Sequence, residues 1–152
     1  MVEQLDRIVD EVEALQSKLV LLIAEGGMSK SSLLHELAQR RASTVMNIGS
    51  ELGARLAAPP FKQRALAVPE ALRELADRHA AHGVVLLDNI ELLFDRSLRL
   101  DPLDLLKQLA RARRVVAVWP GQLREGRLIY AEMGHPEHQD YSIDGLVPFE
   151  IQ

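Results

Sequence analysis

Apolar residues open the chain at helical spacing: Val2, Leu5, Ile8, Val9, Val12 and Leu15, with Glu, Asp and Arg between them. That pattern predicts one amphipathic helix over 2–16. The period then changes. Leu19 to Ile23 is an unbroken apolar run, the signature of a strand buried on both faces. Val84 to Leu87 and Val115 to Val118 repeat it, and 43–49 is rich enough in β-branched residues for a weaker strand. Helical patterns lie between these runs. Leu33, Leu34, Leu37 and Ala38 share one face of 31–40, and Pro69 fits the first helical position ahead of Leu72, Leu75 and Ala76. Asp101-Pro102 supplies a cap and a first-turn proline for a helix carrying Leu103, Leu105, Leu106 and Leu109. Beyond Pro120-Gly121, 127–132 reads as a further strand, and 134–152 as a loop-rich tail with room for an edge strand. Buried strands alternating with amphipathic helices predict βαβ units, a mostly parallel sheet of about five strands, and one α/β domain over 1–152.

Composition narrows the chemistry. The chain has 152 residues, enough for one domain with a full core. Cysteine is absent, which excludes disulfides, thiol nucleophiles and cysteine-ligated metals. No apolar run reaches the roughly 20 residues of a membrane span. The first residues lack the apolar stretch of a signal peptide, so a cytoplasmic location is expected. A net charge of −4 and only 4% aromatic residues argue against a general nucleic-acid binder or a base-stacking platform.

The first buried strand leads into Ala24-Glu25-Gly26-Gly27-Met28-Ser29-Lys30-Ser31-Ser32 and then a helix. Strand, loop and helix in that order form the setting of a phosphate-binding loop, in which backbone N–H groups and the helix N-terminus receive an anion. Lys30 stands where a lysine reaches the β- and γ-phosphates, and Ser31 where a hydroxyl holds Mg²⁺. Gly26, Gly27, Met28, Ser29 and Ser32 complete the candidate nucleotide site. Against the pattern G-x-x-x-x-G-K-S/T, Ala24 and Ser29 replace both glycines. A non-glycine residue forced into a left-handed conformation costs roughly 1–2 kcal/mol, about a tenfold loss of affinity. A plain βα turn with a solvated lysine would account for the same residues.

A second element points the same way. The run Val84 to Leu87 ends in Asp88, as a Walker B strand does. Ligands of parallel sheets bind at the carboxyl ends of the strands, so Asp88 is expected beside Lys30 and Ser31, holding Mg²⁺ for ATP or ADP. Its alternative role is a helix cap. Hydrolytic relatives place a glutamate directly after this aspartate. Here the next residue is Asn89, which can hydrogen-bond water but not take its proton. Glu91 could serve as the base only if the backbone turns it back toward the site. Binding is therefore better supported than turnover.

From Gly83 to Tyr141 the chain resembles the BrxF family, small P-loop proteins of type 3 BREX bacteriophage-exclusion systems. The resemblance rests on 88–94 (Asp-Asn-Ile-Glu-Leu-Leu-Phe), Asp101-Pro102-Leu103, Trp119-Pro120-Gly121, and Tyr130-Ala131-Glu132 followed by Gly134-His135-Pro136-Glu137. It implies a three-layer P-loop NTPase-like fold of the additional-strand group, which includes the AAA+ ATPases. It also implies a cytoplasmic part in a defence system containing a DNA methyltransferase, a large ATPase and an alkaline-phosphatase-like protein. The chain departs from the family in its phosphate loop. It has no room for the helical lid of full AAA+ proteins, so a bound nucleotide would lie open unless a second copy or a larger ATPase covers it. Arg124 and Arg127 fall between the fourth and fifth strands, where relatives present an arginine across an interface. Two further readings are an adaptor whose nucleotide site has decayed and a DNA-binding subunit using Arg111, Arg113 and Arg114. Helix C-termini attract such arginines anyway, as they do Arg40 and Arg41. His135 and His138, with Glu132 and Glu137, invite a metal but lack a zinc signature. His79 and Trp119 read as packing residues. Ser31 has no histidine–carboxylate pair to make it a nucleophile.

Overall fold

A computed structural model describes residues 1–24, 30–80, 82–130 and 139–151. Its strands are β1 (Leu19–Ala24), β2 (Val45–Asn47), β3 (Val84–Asp88), β4 (Arg114–Val118), β5 (Gln122–Arg124), β6 (Arg127–Tyr130), β7 (Gln139–Ser142) and β8 (Val147–Ile151). Its helices are α1 (Val2–Glu11), α2 (Lys30–Arg40), α3 (Ile48–Leu56), α4 (Arg64–His79) and α5 (Pro102–Ala112). Five strands form one parallel sheet in the order β2-β3-β4-β1-β8, and β5, β6 and β7 form a separate antiparallel sheet.

The unbroken apolar runs became central strands because helices cover both faces. All six residues of β1 are buried. Val20 and Leu22 pack toward α1 and α2, with Leu5, Val9, Leu34 and Leu37. Leu19, Leu21 and Ile23 face the opposite way, into a core built with α3, α4 and α5. At an apolar burial of about 1.5–3 kcal/mol per large side chain, these two layers dominate the stability of the sheet. Asp101 caps α5 as its sequence predicts, its carboxylate accepting from the Asp104 N–H at 3.1 Å.

Several boundaries differ from the sequence pattern. The first helix stops at Glu11 and continues as a 3₁₀ turn over Val12–Ala14, not to 16; Leu15 is extended and 45% exposed. Val12 is the last buried residue of its stripe, after which the chain must turn into β1. The strand expected over 43–49 shrinks to Val45–Asn47. Asn47 caps α3 through its side-chain oxygen, 3.0 Å from the Ser50 N–H, and Ile48, Leu52 and Leu56 bury that helix at four-residue spacing. Pro69 is not first in its helix but inside α4. The helix extends backward because Val68 is also buried, while Pro69 lies on the exposed face early in the helix. The expected strand over 127–132 is described from Arg127 to Tyr130 and belongs to the small sheet. The tail supplies the edge strand β8 but also β7, so it is more regular than its composition implies.

Candidate functional site

Because β1, β3 and β4 are parallel, their carboxyl ends share one edge of the sheet. Three candidate positions meet at that edge: Ala24 closes β1, Asp88 closes β3, and Trp119 follows β4. Lys30 begins α2, directly beyond the turn from β1. Gly26, Gly27, Met28 and Ser29 lie outside the described residues. Ala24 does not carry the backbone penalty that its glycine position suggests. It is buried strand, paired with Ile151, and is not among the residues with positive φ.

The Lys30 ammonium donates to the Trp119 carbonyl oxygen at 2.7 Å. Burial holds its pKa below the ordinary lysine value, while the negative charges of Glu91 and Asp88 pull the other way. Both carboxylates are therefore near enough to act on Lys30. Ser31 and Ser32 follow on the exposed side of the first turn of α2, where the Ser31 carbonyl lies 2.8 Å from the His35 ring.

Asp88 is the one charged side chain buried among the described residues, at 8% exposure. One carboxylate oxygen accepts from the Asn89 N–H at 2.8 Å. Among the described residues the group makes no ion pair. The Lys30 ammonium is the charged group that feels it. Ser31, on the exposed first turn of α2, and Asp88, at the end of β3, are the two residues that the sequence offers as cation ligands.

The turn after Asp88 depends on Asn89, which adopts a left-handed conformation (φ 53, ψ 54). Asparagine tolerates that region better than most non-glycine residues. The chain then enters a 3₁₀ turn over Ile90–Phe94, anchored by buried Ile90, Leu93 and Phe94. Glu91 stays exposed on this turn, with its charge felt at Lys30.

Most of the other candidates are engaged elsewhere. Arg124 and Arg127 face each other across the β5–β6 turn, and Arg127 donates twice to Asp140, at 2.9 and 2.7 Å. Arg113 bonds the Leu109 carbonyl at 2.9 Å and Asp77 at 2.5 Å. Arg114 bonds the His82 carbonyl at 2.9 Å. Arg40 and Arg41 hold α1 through Asp6, at 3.0 and 2.6 Å. Arg113 and Arg114, two of the three arginines behind a DNA-binding reading, therefore fasten elements of the fold together. His79 pairs with Glu51 at 2.7 Å, and Trp119 is fully buried. Glu132, His135, Glu137 and His138 lie outside the described residues. Among the described residues, no group of three or more His, Cys, Asp or Glu could hold a metal ion.

The role of the Trp119 carbonyl was not visible in the sequence, since any residue offers a carbonyl. The left-handed turn at Asn89 did leave a signal, an Asp-Asn pair ending a buried strand.

No family model and no curated protein matches this chain. Among solved structures, it is similar to PCH-2 from C. elegans, with 17% identity and a TM-score of 0.55. The match covers 99% of this chain and 41% of that one, so the chain spans well under half the length of its structural neighbour. At this identity the likeness is one of fold. What the two share is an α/β architecture, here built around a five-stranded parallel sheet. No helix among the described residues is long and apolar enough to cross a membrane.

Proposed function

We propose that this protein binds ATP or ADP with Mg²⁺ through a P-loop site at the carboxyl edge of β1, β4 and β3. One observation carries the reading: Lys30, the first residue of the helix after β1, shares an electrostatic environment with buried Asp88 and with Glu91. The sheet order supports it, because a single strand, β4, separates the strand before Lys30 from the strand ending in Asp88. That is the arrangement expected of additional-strand NTPases, and the AAA+ fold of the PCH-2 neighbour agrees with it.

The residues divide the work by their chemistry. Lys30 neutralises the β- and γ-phosphate oxygens, and the α2 N-terminus adds its partial positive charge. The Ser31 hydroxyl and the Asp88 carboxylate hold the cation. Mg²⁺ held there by Ser31 and Asp88 would offset the charge of the phosphates. Asn89 can orient water without taking its proton, and exposed Glu91 is the remaining candidate base. Turnover is accordingly weak in the isolated chain. A neighbouring copy or a larger ATPase completes the site, with Arg124 and Arg127 as the arginines that would face it across the interface.

The resemblance over Gly83 to Tyr141 supports a role for this activity in a cytoplasmic BREX defence complex, with DNA met only indirectly or weakly. A fluorescent ADP analogue, titrated with and without Mg²⁺ against wild type and Asp88→Asn, tests the site. Mg²⁺-dependent binding weakened at least tenfold in Asp88→Asn is expected; binding indifferent to both would refute it. Co-purification with the large ATPase of such a system tests the complex.

A second reading keeps the fold as an adaptor without nucleotide. The Lys30–Trp119 hydrogen bond favours it, since a lysine already satisfied by the protein has less need of phosphate.

A further inference from the structure

Trp119 joins two parts of the molecule. Its N–H donates to the Leu22 carbonyl at 2.9 Å, tying it to β1. Its indole N–H donates to the Ile129 carbonyl at 3.2 Å, tying it to β6 of the small sheet. The indole is fully buried and meets Phe94 and Tyr141 edge-on, at 5.4 and 5.7 Å, while Phe94 stacks on Tyr130 at 4.0 Å. Lys30 grips this same residue by its carbonyl.

A neutral carbonyl competes poorly for an ammonium against a charged phosphate oxygen, because charge-assisted hydrogen bonds are about twice as strong. Polyphosphate arriving at the α2 N-terminus therefore draws Lys30 away from Trp119. The carbonyl it leaves sits at the joint between the two sheets. Packed interfaces of this kind shift between discrete arrangements and do not deform smoothly.

We propose that the Lys30–Trp119 hydrogen bond is a resting-state latch broken by nucleotide, and that the small sheet β5-β6-β7 is the element that registers occupancy. This inference rests on the nucleotide-binding reading. A purely structural bond would instead persist when nucleotide binds.

Trp119 is the only tryptophan in the chain, so its indole resonance is unambiguous. The test follows the Trp119 indole and the β6 amides by ¹⁵N NMR, alongside calorimetric titration with Mg-ADP. In wild type, Mg-ADP should shift the Trp119 indole and the β6 amides. Lys30→Met, without any ligand, should displace the same resonances in the same direction and then ignore Mg-ADP. Calorimetric binding with unmoved Trp119 and β6 resonances would overturn the latch and leave the nucleotide reading intact. A Lys30→Met spectrum superposable on that of ligand-free wild type would also overturn it. Absence of any heat of binding would overturn the nucleotide reading, and the coupling with it. The wild-type titration decides the matter even if Lys30→Met fails to fold.

Discussion

Gly121 and Ile129 approach so closely that a β-carbon on Gly121 would lie 1.7 Å from the Ile129 carbonyl oxygen. The same oxygen accepts the Trp119 indole hydrogen bond, so the Trp-Pro-Gly turn and β6 are locked backbone to backbone. Glycine is required here by space. Gly121→Ala should destabilise the protein by about 3 kcal/mol or more, because the obstacle is main chain and cannot rotate away. Urea denaturation measures it; an unchanged midpoint would mean that this turn is loosely packed.

Asp6 fixes the N-terminal helix to α2. Burial opposes its charge, but the hydrogen bonds and charges of Arg40 and Arg41 prevail and hold its carboxyl below the ordinary value of 3.8. A carboxylate with a lowered folded-state pKa contributes stability that is present above the unfolded value and lost as pH falls through the folded one. Asp6→Asn should therefore cost about 1–2 kcal/mol at neutral pH. It should cost progressively less as the medium is acidified below the ordinary value. Denaturation midpoints of both proteins across that range check the sign. A cost independent of pH would show that the two guanidiniums contribute nothing through charge.

Tyr141 gives the opposite end of the scale. Burial first, then the neighbouring Asp101 and Tyr130, push its phenol up from 10.0 to about 12. Below the unfolded value both states keep the proton and stability is unaffected. Between pH 10.0 and about 12 only the unfolded chain ionises, so stability should fall across that window. Tyr141→Phe should flatten the fall. Ultraviolet titration of the native phenols reads the shift directly, and a Tyr141 titrating at its ordinary value would contradict the packing around Trp119.

Asn89 holds the turn between the two carboxylates in a left-handed conformation. Asn89→Gly should preserve or slightly raise stability, while Asn89→Val should cost about 1–2 kcal/mol. Equal stability of the two variants would argue against the turn. Mg-nucleotide affinity should survive in Asn89→Gly, because Asp88 and Glu91 keep their places. Its loss there would instead assign the Asn89 amide a direct role in binding.

Much of this architecture was legible because its signals are local. β1, β3 and β4 are unbroken apolar runs, and a strand covered on both faces leaves no other pattern. Asp101-Pro102 is a helix start written in two residues. α3 escaped because the β-branched residues before it resemble strand, while Asn47 serves both to end β2 and to cap the helix. Pro69 misled because proline marks helix starts more often than it sits within one, as it does in α4. Within the site, the order of Lys30, Ser31 and Asp88 could be read directly. The Lys30–Trp119 bond spans 89 positions and uses a main-chain acceptor, so no residue pattern announces it. The same holds for the arginines. Arg113 and Arg114 look like a basic cluster in sequence, and only the fold brings Asp77 and the His82 carbonyl to them.

The nucleotide site is tested most directly by calorimetric titration of the purified protein with ATP and ADP, with and without Mg²⁺, beside Lys30→Ala. Micromolar binding that needs Mg²⁺ and disappears in a folded Lys30→Ala protein is the expected result. Binding of equal strength in that variant, or none in wild type at millimolar nucleotide, would contradict the account and turn attention to the protein's interfaces.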